Sequence, residues 1–132
     1  DVKLQRRAMG NLLGNAVKFG QATDVVVVGE GIETMLSIRQ ALPQLPVWAA
    51  LSAGHLGAVL FPKTVTHVYV AEEPDEAGRR ATERLRDRAQ TEGWSLGVLK
   101  SRLGDFNDDL MAFGIEVLAA DLTAQLRRDT KP

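Results

Sequence analysis

The stretch of sequence that decides the fold is residues 67–81, which read HVYVAEEPDEAGRRA. Its first five residues form an uninterrupted, largely apolar run, which is typical of a strand buried on both faces of a parallel sheet. Four acidic residues then follow within five positions, namely Glu72, Glu73, Asp75 and Glu76. A helical pattern with apolar residues every four positions comes next. The stretch therefore predicts a strand, an acidic loop and a helix, in that order.

Three more short apolar runs occur in the chain, and glycine or proline bounds them. The predicted strands are residues 24–28, 47–51, 67–71 and 95–99, and the predicted helices are residues 32–42, 55–60, 76–92 and 115–128. This alternation predicts an α/β fold, with a mostly parallel sheet of about four strands flanked by helices and joined by right-handed crossovers. The segments KLQRRAMG and NAVKF, before Thr23, predict a short β-rich lead-in.

Length and composition restrict the class of protein. The 132 residues fit one domain, and 45% hydrophobic with 25% charged residues is ordinary for a soluble globular chain. No apolar run reaches the roughly 18 residues of a membrane span, and no signal peptide is evident, so we expect a cytoplasmic location. The absence of cysteine excludes disulfides and thiolate metal sites. Because the chain begins with Asp1 rather than Met, we expect it to be part of a longer protein.

Polar and acidic side chains follow three of the four predicted strands. They are Glu30 after the first strand, Glu73 and Asp75 after the third, and Asp105, Asn107 and Asp108 after the fourth. Because the carboxyl ends of parallel strands meet at one edge of a sheet, we expect these side chains to converge there. Two carboxylates about 4 Å apart repel by about 4 kcal/mol at an effective dielectric constant near 20. Oxygen ligands without histidine or cysteine select Mg²⁺ or Mn²⁺, so the pattern predicts a phosphoryl-transfer or phosphodiester site.

The acidic loop after the third strand also has a purely structural interpretation. Asp75 and Glu76 open a helix, and an N-cap aspartate with first-turn acids stabilises a helix by about 0.5–2 kcal/mol without any function. Capping does not require Glu73, and it does not explain Glu30 between two glycines. The three acidic strand ends together therefore favour a metal site.

Four segments, in this order, resemble the Toprim domain in its primase-like version, which phage, plasmid and mobile-element replication proteins carry. They read VVVVGEGIETMLSI (25–38), VWAALSAGHLGAV (47–59), VYVAEEPDEAGRRA (68–81) and GDFNDDL (104–110). NAVKFG, at residues 15–20, also resembles the lead-in of that group. The resemblance covers roughly residues 24–113. It divides the chain into a lead-in at residues 1–22, which ends a preceding primase region, and a Toprim domain with a C-terminal helix at residues 23–132.

The resemblance implies chemistry that depends on Mg²⁺ or Mn²⁺. Glu30 matches the first-strand glutamate, which acts as general acid/base or metal ligand. Glu73 and Asp75 match the D-x-D pair after the third strand, and Asp105 and Asn107 match a later motif that helps to hold a metal. Glu73 departs from the family pattern, because glutamate adds a methylene group where an aspartate is usual.

Five further residues are candidates for binding nucleotide or phosphate. They are Lys18, Gly31, Gly78, Arg79 and Arg80. A glycine lets a substrate approach the backbone closely, and guanidinium groups bind phosphate through paired hydrogen bonds. The alternative for the two arginines is a solvated helix face, on which Arg80 pairs with Glu76 and Arg79 with Glu83.

Three functions remain open at this point. The first is nucleotidyl transfer by a primase-like replication protein, with a single-stranded DNA template and nucleoside triphosphates as substrates and a helicase or other replication domains as partners. The second is phosphodiester cleavage by a Toprim nuclease. The third is a non-catalytic module that binds metal or nucleotide, or docks a partner. A topoisomerase is disfavoured because the only tyrosine, Tyr69, lies in a predicted buried strand. A phospho-receiver domain is disfavoured because the third strand ends in a multi-acid loop.

Overall fold

The computed structural model of the chain describes residues 16–130. In this range the elements are β1 (Val17–Phe19), β2 (Val25–Gly29), α1 (Ile32–Ala41), β3 (Val47–Ala49), α2 (Ala53–Gly57), β4 (His67–Ala71), α3 (Glu76–Glu92), β5 (Ser95–Leu99), α4 (Phe106–Phe113) and α5 (Ile115–Thr130). Strands and helices alternate from β2 to α4, so the predicted α/β class is confirmed.

The five strands form one sheet in the order β1-β3-β2-β4-β5. Strands β2, β3, β4 and β5 are parallel, and β1 pairs with β3 in the antiparallel direction at the edge of the sheet. In the register, Gly29 lies level with Ala49 and Ala71, and Ala71 lies level with Leu99. The carboxyl ends of the four parallel strands therefore meet at one edge, as the sequence predicts.

The fifth strand comes from the predicted lead-in at residues 1–22. Val17–Phe19, in the NAVKF segment, forms the edge strand β1. Lys18 on β1 lies opposite Trp48 on β3, and the Trp48 indole N–H donates to the Gly20 carbonyl oxygen at 3.0 Å. Residues 17–19 of the lead-in are therefore part of the same sheet as the Toprim-like strands. The other candidate strand, KLQRRAMG, lies outside the described residues.

Two hydrophobic layers cover the sheet because the side chains of its strands alternate between the two faces. Val26 and Val28 face the layer that contains Trp48 and Leu85, under α2 and α3. Val27 faces the other layer, under α1, α4 and α5. Burial of each such aliphatic side chain stabilises the fold by about 1.5–3 kcal/mol. Within residues 16–130, no helix combines the length and the apolar character that a membrane span requires.

Helix α4 was not predicted, because the sequence interpretation treated the residues after β5 as an acidic loop. Asp105 caps this helix, Phe106 is buried against the second layer, and Leu110 packs beside it. The helical spacing of these apolar residues is short and is interrupted by three polar residues. Gly114, at φ 87°, then separates α4 from the predicted C-terminal helix α5.

Candidate active site

An acidic cleft lies at the carboxyl edge of the parallel strands. Its volume is about 470 Å³, and it is lined by Glu30, Gly31, Ile32, Glu33, Thr34, Leu51, Glu73, Asp75 and Asp105. The structure thus brings together four acids that the sequence predicts as site residues: Glu30, Glu73, Asp75 and Asp105. They come from the ends of three different strands, β2, β4 and β5, so only the folded sheet places them in one cleft.

Glu30 is positioned by a tight connection between the ends of β2 and β3. The backbone carbonyl of Glu30 accepts a hydrogen bond from the Leu51 N–H at 2.7 Å. Leu51 adopts φ 77°, a left-handed conformation that costs a non-glycine residue about 1–3 kcal/mol. A side chain on Gly29 would collide with the Met35 sulfur, so glycine lets β2 pack closely against α1 before the chain turns at Glu30. The strained connection therefore presents the Glu30 carboxylate to the cleft.

Asp75 has both a structural role and a place in the cleft. Its Oδ1 accepts a hydrogen bond from the Gly78 N–H at 2.7 Å, which caps helix α3. No hydrogen bond from residues 16–127 reaches its second carboxylate oxygen. The capping interpretation and the metal-site interpretation of Asp75 are therefore compatible, because each uses a different oxygen of the same carboxylate.

Asp105 repeats this arrangement at the end of β5. Its Oδ1 accepts from the Asp108 N–H at 2.7 Å and caps helix α4. The loop that carries Asp105 is held by Asp109, whose carboxylate accepts from the backbone N–H groups of Arg102 and Leu103, each at 2.8 Å. Asp109 is only 1% exposed.

The sequence interpretation did not single out Asp109, although it named its neighbours Asp105, Asn107 and Asp108. Its spacing contains the information that was missed. Asp109 lies three residues after Phe106, so the two residues share a helix face, and a buried aspartate on that face needs hydrogen-bond donors.

Negative charge accumulates around Glu73. Partial burial raises the pKa of Glu73 above its ordinary value, and the carboxylates of Asp105, Glu30, Asp75 and Asp108 raise it further, in that order. Each of these groups disfavours the ionised form of Glu73. Raised carboxyl pKa values of this kind cluster at functional sites, because a ligand of opposite charge normally offsets the repulsion.

We expect Glu73→Gln to raise the free energy of unfolding at neutral pH by about 0.5–1 kcal/mol, since the exposed part of the site is screened by solvent. The folded-state pKa of Glu73 lies above its unfolded value. As pH rises from the unfolded pKa through the folded pKa, Glu73 becomes ionised and the folded chain loses stability. The advantage of the variant should therefore shrink as pH falls towards 4.5, the ordinary glutamate value. Denaturant unfolding at several pH values measures this.

Glu72→Gln is the matched control for this prediction, because Glu72 is adjacent and lies outside the acidic cleft. It should leave stability within about 0.5 kcal/mol of the wild type. Equal stability of Glu73→Gln and the wild type at neutral pH would show that the carboxylates do not repel one another appreciably.

The chemistry of these side chains fits a hard divalent cation, although they do not form a closed ligand shell. Within the described part of the chain, no group of three or more His, Cys, Asp or Glu side chains is spaced closely enough to enclose a metal ion. Mg²⁺ commonly takes only one or two protein carboxylates and completes its shell with water and substrate phosphate. The cleft suits that mode of binding, because Asp75 and Asp105 each have a free carboxylate oxygen and the carboxylate of Glu73 lies among other negative charges.

Asn107 lies beside the cleft and contacts helix α1 instead of lining the cleft. Its side-chain carbonyl oxygen accepts a hydrogen bond from the Ser37 hydroxyl at 3.2 Å. The single hydroxyl hydrogen of Ser37 is shared between this oxygen and the backbone carbonyl oxygen of Glu33, which lies 2.9 Å from the Ser37 hydroxyl oxygen. Asn107 therefore connects α4 to α1, and this contact holds the Asp105 loop near the end of β2.

The predicted phosphate-binding residues are distributed over several parts of the surface. Gly31 lines the acidic cleft. Arg80 forms an ion pair with Glu76 at 3.1 Å, as the alternative interpretation of a solvated helix face expects. Lys18 lies over the Trp48 ring, with its Nζ 4.6 Å from the ring centroid, and does not line the cleft.

Gly78 is needed for packing at the start of α3. Any side chain there would collide with the backbone carbonyl oxygen of Glu73, and its Cβ would lie 3.0 Å from the carbonyl carbon. Arg79 is exposed, and its side chain forms no ion pair with any side chain in the range 16–127. It lies in a second cleft beside the acidic one.

Solved structures that share this fold include three bacterial or phage primase fragments. The Aquifex aeolicus primase (zinc-binding and RNA polymerase domains) is 20% identical with a TM-score of 0.56, over 76% of this chain and 26% of that one. A DNA primase domain from Pseudomonas aeruginosa is 22% identical with a TM-score of 0.54, over 77% and 33%. The primase fragment of the bacteriophage T7 primase-helicase protein is 18% identical with a TM-score of 0.57, over 81% and 45%. The chain thus spans less than half of each.

The sequence comparison with known families gives a match over the same part of the chain. No curated protein sequence shows a significant match to the chain. The Toprim domain family matches residues 25–116, which is more than half of the 132 residues and runs from β2 to the start of α5. Together with the mostly parallel sheet and the acidic strand ends, this match confirms the resemblance noted in the sequence: the chain belongs to the Toprim domain family.

Proposed function

We propose that this Toprim domain is the catalytic part of a primase-like replication protein that joins nucleotides on a single-stranded DNA template with Mg²⁺ or Mn²⁺. The observation that supports this most strongly is that acids from three strand ends line one cleft, where partial burial and then the neighbouring carboxylates raise the pKa of Glu73. Such a cleft repels an anionic substrate unless cations are present. In phosphoryl transfer the anionic substrate binds together with a divalent cation, which offsets that repulsion.

In this proposal the acids of the cleft have different roles. Asp75 and Asp105 would hold the metal through their second carboxylate oxygens, with water and substrate phosphate completing its shell, and the Glu73 carboxylate would add negative charge to the site. A divalent ion held there would neutralise charge on the triphosphate. The Glu30 carboxylate accepts the proton of the attacking 3′-hydroxyl, whose oxygen forms a bond to the α-phosphorus as pyrophosphate leaves.

The proposed partners are those of a primase. A single-stranded DNA template and nucleoside triphosphates serve as substrates in the cytoplasm, and a helicase or other replication domains flank the domain in the parent protein. This chain covers only 26%, 33% and 45% of the three similar primase structures, so we assign template capture to regions outside the Toprim domain. Residues 1–22 would belong to such a preceding region, and residues 23–132 would form the Toprim domain.

We expect Asp75→Asn to abolish Mg²⁺ binding while leaving the fold intact. The asparagine side-chain oxygen still accepts from the Gly78 N–H, so the cap of α3 is kept, whereas Asp75→Ala should lose about 1 kcal/mol of stability. Calorimetric titration of Mg²⁺ into both proteins measures the binding. Primer synthesis by the full-length parent should fall by about 100-fold or more in Asp75→Asn.

Asp87→Asn is the matched control, since Asp87 is an exposed acid further along the same helix. It should bind Mg²⁺ like the wild type. Wild-type affinity of Asp75→Asn for Mg²⁺ would refute the proposed metal site.

A non-catalytic module is the second candidate, and two features favour it. Within residues 16–130 the acids do not enclose a metal-sized space, and Glu73 stands where the family has aspartate. Mg²⁺ binding by the wild type without primer synthesis by the parent would support this candidate. Cleavage of a labelled oligonucleotide that is lost in Asp75→Asn would instead indicate a nuclease.

A further inference from the structure

The acidic loop after β4 separates two clefts. Glu73 and Asp75 line the acidic cleft, whereas Glu72 and Pro74 line a second cleft of about 260 Å³ on the other side. Alternate residues of this short connection thus face opposite clefts. The second cleft is completed by Arg79, Lys100, Ser101 and Leu103, so it lies at the same sheet edge as the acidic cleft, between the ends of β4 and β5.

The two cations of the second cleft have no acidic partner among the described residues. Arg79 and Lys100 are both exposed, and neither forms an ion pair. The nearby cation Arg102, by contrast, is paired with Asp121 at 2.6 Å. With Glu72 as the only acid that lines the cleft, its side chains carry a net charge of +1.

The backbone at Lys100 is held firmly in place. Its N–H donates to the Gln125 side-chain oxygen at 2.8 Å, and its carbonyl oxygen accepts from the Gln125 amide at 3.0 Å. Glu72, at the matching end of β4, donates its backbone N–H to the Leu99 carbonyl oxygen at 3.2 Å. Hydrogen bonds therefore hold both strand ends that border the second cleft, and the cleft is lined by one cation from α3, Arg79, and one from the end of β5, Lys100.

We propose that this second cleft binds the phosphodiester backbone of the nucleic-acid strand whose reacting end lies in the acidic cleft. This inference rests on the proposed function and states where the nucleic-acid strand would lie on the surface of the domain. Phosphates in the acidic cleft need a divalent cation, but the neighbouring phosphates of the strand lie beyond that ion. Arg79 and Lys100, on the other side of residues 72–75, supply the positive charge that those phosphates require.

The test is the salt dependence of binding to a fluorescent single-stranded DNA oligonucleotide, measured by anisotropy in EDTA. Each lost phosphate contact should reduce the slope of log K against log salt by about 0.7. Arg79→Ala and Lys100→Ala should therefore each weaken binding about 8-fold in 50 mM salt and about 3-fold in 200 mM salt. Glu72→Gln should strengthen binding, because it removes the carboxylate that opposes the phosphates.

Lys63→Ala is the matched control, because Lys63 is an exposed cation in the loop before β4, at the opposite edge of the sheet. It should leave the slope unchanged, and all four variants should unfold at the wild-type temperature. Wild-type slopes in Arg79→Ala and Lys100→Ala would overturn the inference, as would a wild-type chain that does not bind the oligonucleotide. Loss of nucleoside triphosphate binding alone in these variants would overturn it in favour of a nucleotide subsite.

Failure of the inference and failure of the proposed function remain distinguishable. The oligonucleotide is titrated without metal, so its salt slope does not depend on the acidic cleft. Calorimetry of Mg²⁺ with Asp75→Asn tests that cleft without nucleic acid.

Discussion

Replacement of Asp109 by alanine is expected to lower the free energy of unfolding by about 2–4 kcal/mol. The Asp109 carboxylate is buried and accepts hydrogen bonds from the backbone N–H groups of Arg102 and Leu103. Alanine leaves both donors without a partner, and each such group costs about 1–3 kcal/mol. Denaturant unfolding, analysed at constant m-value, measures the loss.

The same substitution should also weaken Mg²⁺ binding, although Asp109 does not line the acidic cleft. The loop that Asp109 holds leads directly to Asp105, which does. A loosened loop must be ordered again when the metal binds, so part of the binding free energy is lost. Calorimetry on the folded variant separates this effect from global unfolding.

Asp108→Ala is the control for this prediction. Asp108 is the adjacent aspartate on the same helix, but it is exposed, so its removal should change stability by about 0.5 kcal/mol or less. If Asp109→Ala is as stable as Asp108→Ala, the two backbone hydrogen bonds do not anchor the loop.

Gly78→Ala is expected to destabilise the chain by about 1–3 kcal/mol, although alanine is normally the better helix former. Its methyl group would collide with the carbonyl oxygen of Glu73, which is a backbone atom and cannot rotate away. Either α3 or the acidic loop must shift. Since the loop carries Glu73 and Asp75, Mg²⁺ affinity should fall together with stability.

Gly54→Ala provides the comparison, because a Cβ at Gly54 would meet no atom within 4 Å. Gly54 also lies in a helix, so this change should be neutral or stabilise the chain by up to about 1 kcal/mol. Thermal and denaturant unfolding of both variants measures the difference. Equal stability of Gly78→Ala and Gly54→Ala would show that the acidic loop can shift to accommodate the methyl group without loss of stability.

Part of the fold could be predicted because its determinants are local. Strands β4 and β5 and helix α3 have the predicted bounds, since Pro74 precedes the helix and Gly93, at φ 85°, ends it. Helix α4 was missed because three polar residues interrupt its apolar spacing. The pairing of β1 with β3 joins segments about 30 residues apart, and no local pattern encodes such a contact.

The candidate site divides in the same way. The convergence of Glu30, Glu73, Asp75 and Asp105 was predictable, because parallel strands place their carboxyl ends at one edge. The contact of Asn107 with Ser37 was not predictable from spacing alone, and the spacing of Asp109 from Phe106 indicates a buried anchor only once helix α4 is known. Both depend on how α4 rotates against the rest of the fold.

The sequence by itself determined the α/β class, the order of the parallel strands and of every helix except α4, and the acids that lie at the carboxyl edge of the sheet. These follow from the spacing of apolar residues, from helix caps and from the geometry of parallel strands. Only the tertiary structure decided that Asp75 and Asp105 each keep one oxygen free and that burial and neighbouring carboxylates raise the pKa of Glu73. It also decided that a cleft with Arg79 and Lys100 lies beside them. These properties depend on distances between residues far apart in the chain, which packing alone sets.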